Sequence, residues 1–364
     1  MTTSPPRSLA IDAMRGLTIV GMILVNMAID PARSYPTLLH SVWNGFTLAD
    51  AIYPSFLFVM GTALALTSDR GDRPPPPWGR VLRRVALLIG FGLFVSNVPF
   101  GHLDDAGGWH WQQAAQVRLP GVLQRIALAY LLGVVVVRCG GWRAALGYIV
   151  VVLPLFAWAT QALGDITLAG SAALRVDLAV FGPAHLYHGE GVPFDPEGLF
   201  GTVAATANLL AGYIACRMLT RMPLHRLIAR GLVLAAIALL WSHGLPINKK
   251  LWSSSYALLN IGLDTALLGG LSVLIDRRGW RFGTGFLGTF GKNPLALYVL
   301  AEALMALAWT FRAHGRPIFL WLFEHGFAGA QTGRAGSMAL GLAMVLLCWL
   351  VGRELERRRL FLRV

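Results

Sequence analysis

Two apolar runs set the architecture: LPGVLQRIALAYLLGVVVV at residues 119–137 and RAALGYIVVVLPLFAWATQA at residues 143–162. A helix needs about 20 apolar residues to cross the hydrocarbon core of a bilayer, and each run approaches that length. Of the 364 residues in the chain, 55% are hydrophobic and 13% are charged, whereas a soluble domain has about 25% charged residues. The sequence therefore predicts an all-α, polytopic membrane protein.

Similar apolar runs recur along the whole chain, and we expect about ten transmembrane helices in one domain, 1–364. The segment 317–323 is too short to span and is interpreted as an interfacial piece. The longest connection, 163–198, is expected to be an ordered outer loop. The ten predicted spans are 9–29, 49–68, 81–98, 119–137, 143–162, 199–219, 228–242, 253–275, 289–311 and 336–352.

The basic residues predict the orientation. With a cytoplasmic N-terminus, the inner segments hold 20 Lys and Arg residues and the outer segments hold 8. This excess follows the positive-inside rule, so both termini are predicted to be cytoplasmic. The net charge of +13 is thereby explained without nucleic acid, which we exclude as a partner. The first run carries charged residues and lacks a small-residue cleavage site, so we expect a retained helix and not a signal peptide.

Polar residues inside apolar spans are costly and often mark functional sites. Asp12 and Arg15 share one face of the first span, either as a structural ion pair or with Arg15 holding an anionic ligand. Gly16 beside them allows a close helix approach. Asn26 lies roughly 16 Å further along that helix, where an interhelical hydrogen bond is the simplest role.

The segment LLHSVWNGFTLAD, residues 38–50, precedes the second span. Thr47 and Asp50 have the spacing of a capping box that starts a helix. That role leaves His40 unexplained, and an imidazole can take up and return a proton near neutral pH. Asn44 with Gly45 indicates a turn.

Other polar residues fall in or beside later spans. Gln124 and Arg125 lie in the fourth, where Arg125 needs an acidic side chain, carbonyl groups or a ligand phosphate as its partner. Lys292 and Asn293 begin the ninth, and Asn248 precedes the eighth beside two lysines that can snorkel. The spacings typical of zinc sites, phosphate-binding loops and nucleophile elbows are missing from the sequence, so no metal is predicted.

Five blocks of sequence resemble the heparan-α-glucosaminide N-acetyltransferase family, and GKNPLALYV at 291–299 is a weaker sixth. They occur in the order of the family and extend over most of the chain. The five blocks are LAIDAMRGLTIVGMILVNM (9–27), HSVWNGFTLADAIYPSFLFVMG (40–61), PGVLQRIALAY (120–130), FDPEGLFGT (194–202) and PINKKLWSSSYAL (246–258).

The resemblance implies a membrane acyltransferase domain that moves an acetyl group from acetyl-CoA to the amino group of a glucosamine. It implies that His40 and Asn26 are catalytic, with His40 as a general base or a transient acetyl carrier. A bacterial inner-membrane location is implied as well. The chain has no large region before its first span, so we expect a simpler amino sugar or an envelope glycan as acceptor in place of heparan sulfate.

The resemblance also suggests binding residues at the two ends of the spans. The predicted acceptor-binding residues are Trp43, Asn44, Asp50, Asp177, Asp195, Glu197 and Asn248. The predicted residues for the CoA part of the donor are Arg15, Gln124, Arg125, Lys292 and Asn293, with Arg15 and Arg125 as inner-side cations. Asp195 and Pro196 also fit an N-cap followed by the first helical residue, which is a purely structural role.

Two other functions remain open on the sequence. One is O-acetylation of an envelope polysaccharide, and the other is transport or sensing of an amino sugar without catalysis, which polar residues within spans would also suit. Membrane lipid is an expected partner. The oligomeric state is left open, a homodimer included.

Overall fold

The structure, a computed structural model, describes residues 8–68, 74–104, 107–327 and 333–362. It is predominantly helical, as predicted. The helices are α1 (Leu9–Asn26), α2 (Leu48–Thr67), α3 (Trp78–Asn97), α4 (Val122–Ala162), α5 (Ala172–Phe181), α6 (Leu199–Met218), α7 (Leu224–Trp241), α8 (Ser254–Leu271), α9 (Thr284–Lys292), α10 (Pro294–Thr310), α11 (Ile318–Leu322) and α12 (Gly333–Arg357). Short 3₁₀ turns lie at Pro36–Leu38, Ala114–Gln116 and Pro183–His185, and π-helical turns at Ser272–Arg277 and Phe323–Phe327.

All ten predicted apolar runs lie on helices, but two of them share one element. The runs 119–137 and 143–162 form the two arms of α4, and the backbone leaves helical geometry between them at Gly140 and Gly141. Gly141 has φ 60° and ψ −137°, a conformation open to glycine and strongly unfavourable for other residues. The RCGGWR segment therefore bends the chain without a separate loop.

Within the described residues, seven helices are long and apolar enough to cross a membrane, or up to eight if α9 and α10 form one broken span. The axes of α9 and α10 differ by 84°. Three arginines near the start of α3 (Arg80, Arg83 and Arg84) make that helix less apolar than the others. The count of ten spans and the cytoplasmic termini stay predictions.

The outer faces of several helices are apolar and suited to lipid. Val150 and Trp158 on the second arm of α4 are 63% and 65% exposed, and Leu240 on α7 is 70% exposed. A soluble monomer rarely exposes contiguous apolar surface of this kind. In a bilayer these side chains contact lipid tails and not water, and hydrocarbon tails are as apolar as the side chains themselves.

Small residues let the central helices approach closely. A Cβ atom added to Gly61 of α2 would lie 1.7 Å from the carbonyl oxygen of Leu209, and one added to Gly212 of α6 would lie 1.8 Å from that of Phe58. Gly16 of α1 faces the carbonyl of Leu287 on α9 in the same way, at 2.0 Å. The expectation for Gly16 is confirmed, since helices in a membrane associate best where small residues meet.

One end of the bundle gathers most of the connecting segments, and we call it the His40 end. Helices α1, α3, α7 and α10 finish there, and α2, α4, α6, α8 and α12 begin there. Two small antiparallel hairpins also lie at this end, β1 (Gly101–Leu103) with β2 (Trp109–Trp111), and β3 (Arg312–Ala313) with β4 (Arg316–Pro317). The all-α prediction is therefore correct for the bundle and wrong for these two hairpins.

The segment 163–198 is ordered, as expected, and contains α5. The predicted helix start at Asp195 and Pro196 is wrong, because α6 begins at Leu199 after an N-cap at Gly198. The Asp195 carboxylate is held by other partners, described below, and so does not cap the helix.

Candidate active site

A polar pocket of about 140 Å³ lies at the His40 end between α1, α2, α4 and α10. Loops that precede α2, α6 and α8 close it from above. The polar lining residues are Asn26, His40, Tyr53, Glu197, Lys249 and Tyr298, and the apolar ones are Met22, Val25, Ala49, Ile52 and Val122. The two residues predicted to be catalytic, His40 and Asn26, therefore share one pocket.

The first turn of α2 fixes the orientation of His40. Its Nδ1 lies 2.9 Å from Oδ1 of Asp50, whose side chain is fully buried. Oδ2 of Asp50 accepts hydrogen bonds from the backbone N–H of Thr47 at 3.0 Å and from the Ser41 hydroxyl at 2.9 Å. Since a carboxylate only accepts hydrogen bonds, Nδ1 of His40 is the protonated nitrogen and Nε2 carries the free lone pair. Asp50 thus caps the helix and also orients the imidazole.

Lys249 approaches the imidazole from the loop between α7 and α8. Its Nζ lies 2.9 Å from Nε2 and 3.0 Å from Nδ1 of His40, so it contacts both ring nitrogens and is not directed along the lone pair of either, and it lies 4.0 Å from Oδ1 of Asp50. Burial lowers the pKa of Lys249 to about 8, against the opposing effects of Glu197 and Asp50. Desolvation disfavours an ammonium group, so this lysine exchanges its proton close to neutral pH.

The loop that carries Lys249 is built by its neighbour Asn248. The Asn248 Oδ1 accepts the backbone N–H of Leu251 at 2.8 Å, and Nδ2 donates to Oδ1 of Asn44 at 3.1 Å. The backbone N–H of Gly45 also donates to the carbonyl of Ile247 at 2.9 Å. Asn44 and Asn248 therefore lie next to the pocket, where they tie the two loops together and do not line it.

Asn26 is hydrogen-bonded through Nδ2 to Oε1 of Glu302. This bond joins the end of α1 to the middle of α10, so the interhelical role expected for a polar residue in a span is present. Asn26 also lines the pocket, and an amide nitrogen has two N–H donors. One N–H serves the helix pair, and the other can serve a ligand.

Arg118 closes the side of the pocket next to Glu197. Its guanidinium donates to both oxygens of Asp195 at 2.8 Å and to Oε2 of Glu197 at 2.9 Å. Asp195 also accepts the backbone N–H groups of Tyr187 and Glu197. Asp195 is consequently saturated and structural, whereas Glu197 lines the pocket.

Trp43 and Asp177 lie outside the pocket. The Trp43 indole donates to the carbonyl of Ile166 at 2.8 Å and packs edge-on against Phe194, which fastens the His40 loop to the 163–198 segment. Asp177 accepts the backbone N–H of Leu199 at 2.8 Å, at the start of α6. Burial raises the pKa of Asp177 to about 6. Both positions suit loop construction better than ligand binding.

Gln124 and Arg125 lie in the first turn of α4, at the His40 end, and so not at the end opposite His40 where Arg125 was expected. Arg125 is 2% exposed, donates to the carbonyl of Gly198 at 2.9 Å and stacks over Trp252. Gln124 donates to the carbonyl of Leu119. Packing within the bundle encloses both side chains, so we assign them no contact with a donor.

Arg15, Lys292 and Asn293 lie together at the opposite end of the bundle. Arg15 of α1 donates to Oδ1 of Asp12 at 3.4 Å and to the carbonyl of Gly291 at 3.3 Å. Lys292 follows Gly291 directly and pairs with Glu356 at 3.0 Å. Asn293 is bound to the backbone of residues 360 and 362. The structure therefore joins three of the five predicted donor residues and separates them from Gln124 and Arg125.

Sequence reasoning missed three polar pocket residues, Lys249, Tyr53 and Tyr298. Glu197, predicted to bind the acceptor, does line the pocket and is paired with Arg118. Lys249 is 209 positions from His40, and no local pattern links them. The block PINKKLWSSSYAL at 246–258 was the one available signal, because it carries the family resemblance. Across the described ranges, no cluster of three or more His, Cys, Asp or Glu side chains is arranged to hold a metal ion.

The bundle and its pocket define a polytopic membrane protein in which a histidine is bonded to a buried aspartate and contacts a lysine. The model of the family described as heparan-alpha-glucosaminide N-acetyltransferase, catalytic, matches residues 7–178. That match includes His40, Asn26 and Asp50. Over these residues the chain is similar to the heparan-alpha-glucosaminide N-acetyltransferase family.

Two curated relatives match over a longer part of the chain. The human heparan-alpha-glucosaminide N-acetyltransferase is 28% identical over 82% of this chain and 53% of its own length. The mouse protein of the same name is 28% identical over 83% of this chain and 54% of its own length. The chain thus spans about half the length of the curated relatives it matches.

Proposed function

We propose that this protein is a membrane N-acetyltransferase that moves an acetyl group from acetyl-CoA to the amino group of a glucosamine-type sugar. The contact of His40 with both Asp50 and Lys249, in a pocket that also contains Asn26, carries the proposal. The similarity to the family supports the choice of reaction and of acceptor class. The proposed location is the bacterial inner membrane, with the pocket on the outer side.

His40 is the proposed general base. An amine attacks a thioester carbonyl only with its lone pair free, so the ammonium form of the sugar must lose a proton. That first proton goes to solvent. As the neutral amine attacks, Nε2 of His40 accepts the second proton that the amine nitrogen must lose, and Asp50 stabilises the imidazolium that results. The C–N bond forms as the C–S bond breaks, and the thiolate that leaves is protonated by the imidazolium. The alternative is that Nε2 itself carries the acetyl group briefly.

Asn26 is the proposed donor to the carbonyl oxygen during attack. That oxygen gains negative charge, and a fixed N–H group aimed at it lowers the barrier. Glu302 holds the Asn26 amide through the other N–H, which restricts its rotation. Glu197 lies on the pocket wall and suits the ammonium or hydroxyl groups of the acceptor.

We propose that the donor reaches the pocket along the seam between α1 and the α9–α10 pair. The pocket volume of about 140 Å³ is below the roughly 300–1,000 Å³ of sites that enclose a whole ligand. It suits the reacting ends of the two substrates. Residues of α1 and α10 line it, and Arg15 contacts Gly291 at the other end of the same seam. Arg15 and Lys292 there would hold the phosphates of CoA.

Substitution of Arg15 by Gln tests the donor seam. We expect the KM for acetyl-CoA to rise roughly 10-fold, because one charge-assisted contact is lost, while kcat changes little. A short acetyl thioester without the nucleotide should show no change in KM. Arg278→Gln, an exposed arginine at the same end, is the matched control. An unchanged KM for acetyl-CoA in Arg15→Gln would exclude this route.

Purified protein incubated with acetyl-CoA and glucosamine tests the proposed function. Release of free thiol together with formation of N-acetylglucosamine supports it. Thiol release with N-acetylglucosamine as acceptor, whose amino group is blocked, would indicate O-acetylation instead. Uptake of glucosamine into vesicles without thiol release would indicate a transporter.

The pH dependence of the reaction tests the contact between Lys249 and His40. Below the Lys249 pKa of about 8, the ammonium group lies against both ring nitrogens of His40, and its charge opposes transfer of a proton to the imidazole. We therefore expect kcat/KM to rise with pH up to and through about 8 in the native protein. Lys249→Met should shift this rise to lower pH, whereas Lys249→Arg, charged throughout, should remain slow at pH 9.

The measurement is the pH profile of thiol release for the three proteins with the same acceptor, so that titration of the acceptor amine is common to all. A Lys249→Met protein that is slower by the same factor at every pH would contradict this role. Lys249 would then be needed only to support the loop.

A further inference from the structure

A second and larger cavity lies at the His40 end, outside the pocket described above. Its volume is about 810 Å³. The end of α3, the β1–β2 hairpin and the segment 183–188 surround it, with Thr310 at the end of α10. The proposed reaction makes no use of this cavity.

The hairpin presents one aromatic side chain at the rim of the cavity. Trp109 stacks on Phe311 beyond the end of α10, with ring centroids 6.0 Å apart, and so anchors β2 to the bundle. Trp111, two residues later, lines the cavity and is 74% exposed. An exposed indole on an anchored strand is costly in water, and its face suits the apolar C–H face of a ligand.

The cavity walls carry amide and imidazole groups in fixed positions. Gln112 donates through Nε2 to Oδ1 of Asn97 and to the carbonyl of Gln116, both at 3.0 Å. His102 stacks against the ring of His110 with centroids 5.6 Å apart. Both N–H groups of Gln112 are used in these bonds, so its Oε1 is the group that can accept from a ligand, and the imidazoles of His102 and His188 add donors and acceptors. Such a set matches hydroxyl groups, which also donate and accept.

The lining has no fixed charge. Among the described residues that line this cavity there is no Lys, Arg, Asp or Glu. Recognition of sulfate, phosphate or carboxylate groups normally uses Arg or Lys. The chemistry therefore favours an uncharged polyhydroxylated ligand over a sulfated or acidic one.

Arg118 connects this cavity with the His40 pocket. Its guanidinium holds Glu197, which lines the pocket, and its backbone N–H donates to Oδ1 of Asn97 at 2.9 Å, which lines the cavity. Nδ2 of Asn97 donates in turn to the carbonyl of Arg118 at 3.1 Å. One arginine residue therefore contacts a lining residue of each space, Glu197 in the pocket and Asn97 in the cavity.

We infer that the cavity is a second saccharide subsite, which binds an uncharged sugar unit of an acceptor glycan whose terminal amino sugar occupies the His40 pocket. This inference rests on the proposed function for the identity of the terminal unit. Trp111 stacks on the sugar ring, and the amide oxygen of Gln112 and the histidines bind its hydroxyl groups. The acceptor is accordingly a neutral oligosaccharide or polysaccharide with a terminal glucosamine.

The test compares three acceptors in the thiol-release assay: glucosamine, a trisaccharide with terminal glucosamine followed by two N-acetylglucosamine units, and a disaccharide of glucosamine and glucuronic acid. We expect kcat/KM for the neutral trisaccharide to exceed that for glucosamine roughly tenfold, the effect of one aromatic stacking contact. Trp111→Ala should remove this advantage and leave the rate with glucosamine unchanged. The acidic disaccharide should gain nothing.

Trp280→Ala, an exposed tryptophan at the opposite end of the bundle, is the control and should keep the full advantage of the trisaccharide. Equal rates per molar acceptor for glucosamine and the trisaccharide in the native protein would overturn the inference. So would a Trp111→Ala protein that slows both acceptors by the same factor.

A binding measurement keeps this inference separate from the proposed function. Calorimetry with fully N-acetylated trisaccharide, which cannot accept at nitrogen, should show binding to the native protein and at least tenfold weaker binding to Trp111→Ala. If the native protein binds this trisaccharide but releases no thiol from acetyl-CoA with glucosamine, the proposed function is contradicted and the subsite is retained. Thiol release with no difference between the two proteins in calorimetry would contradict the subsite alone.

Discussion

His40→Ala is expected to reduce thiol release from acetyl-CoA in the presence of glucosamine by roughly 10²–10⁴-fold, the usual contribution of a general acid–base residue. His40 lines the pocket together with Asn26 and Lys249, and the bond of its Nδ1 to Asp50 leaves Nε2 as the nitrogen that can act as a base. Its side chain is 40% exposed, so its removal should leave the folded protein intact. His243→Ala, an exposed histidine at the same end, should retain full activity.

A measurement on the native protein separates the two routes of transfer, direct attack by the amine and an acetylated His40 intermediate. With acetyl-CoA alone, an acetyl-imidazole intermediate would give a burst of one thiol per protein and an added acetyl mass on the native chain. Direct transfer would give no burst, because the thioester waits for the amine. A His40→Ala protein that keeps more than a tenth of the native rate would contradict both routes.

The helices were predictable because the bilayer leaves few alternatives. Backbone groups in hydrocarbon must bond within their own segment, so a long apolar run becomes a helix. This is why runs such as 9–29 and 49–68 match α1 and α2 to within three residues at each end. The hydropathy pattern does not show how such helices are connected. The merger of two runs into α4 depends on the backbone angles of Gly140 and Gly141, and the bend between α9 and α10 falls at Asn293.

The sequence revealed the residues of the His40 loop more readily than the residues that contact them from distant segments. His40, Thr47 and Asp50 lie within eleven consecutive residues. A capping pattern indicated Thr47 and Asp50, and the family resemblance indicated His40. Lys249 reaches His40 from a loop two hundred residues away, and that contact depends on how α7, α8 and the Asn248 turn are arranged. Arg118 lies outside the five blocks of sequence, and its ion pairs with Asp195 and Glu197 form only where the segment before α4 meets the segment before α6.

Asp50→Asn is expected to lower both activity and stability, because an amide cannot replace the hydrogen bonds of this carboxylate. Oδ1 faces Nδ1 of His40, and Oδ2 accepts from Ser41 and Thr47. If the amide oxygen faces the loop, the NH₂ group meets Nδ1 and forces the proton onto Nε2, which then cannot act as a base. A carboxylate-to-amide change of this kind costs up to roughly 10⁴-fold in rate in histidine-dependent enzymes.

If the amide turns the other way, its NH₂ group meets the donors of Ser41 and Thr47, and the first turn of α2 loses about 1–3 kcal/mol of stability. Thermal unfolding and thiol release should therefore be measured on the same preparation. Thr47→Val is the matched control. It removes a hydroxyl that bonds the carbonyl of Leu39 and the Asp50 carboxylate, and leaves the contact between Asp50 and His40 in place.

Thr47→Val should cost about 1 kcal/mol of stability, as for other lost helix caps, and should change the rate only a few-fold. The comparison separates the two roles of Asp50. An Asp50→Asn protein that unfolds earlier yet keeps the native rate would show that the carboxylate only starts the helix. A rate loss far beyond that of Thr47→Val would show that it orients His40, because both variants weaken the same turn while only one changes the tautomer of the imidazole.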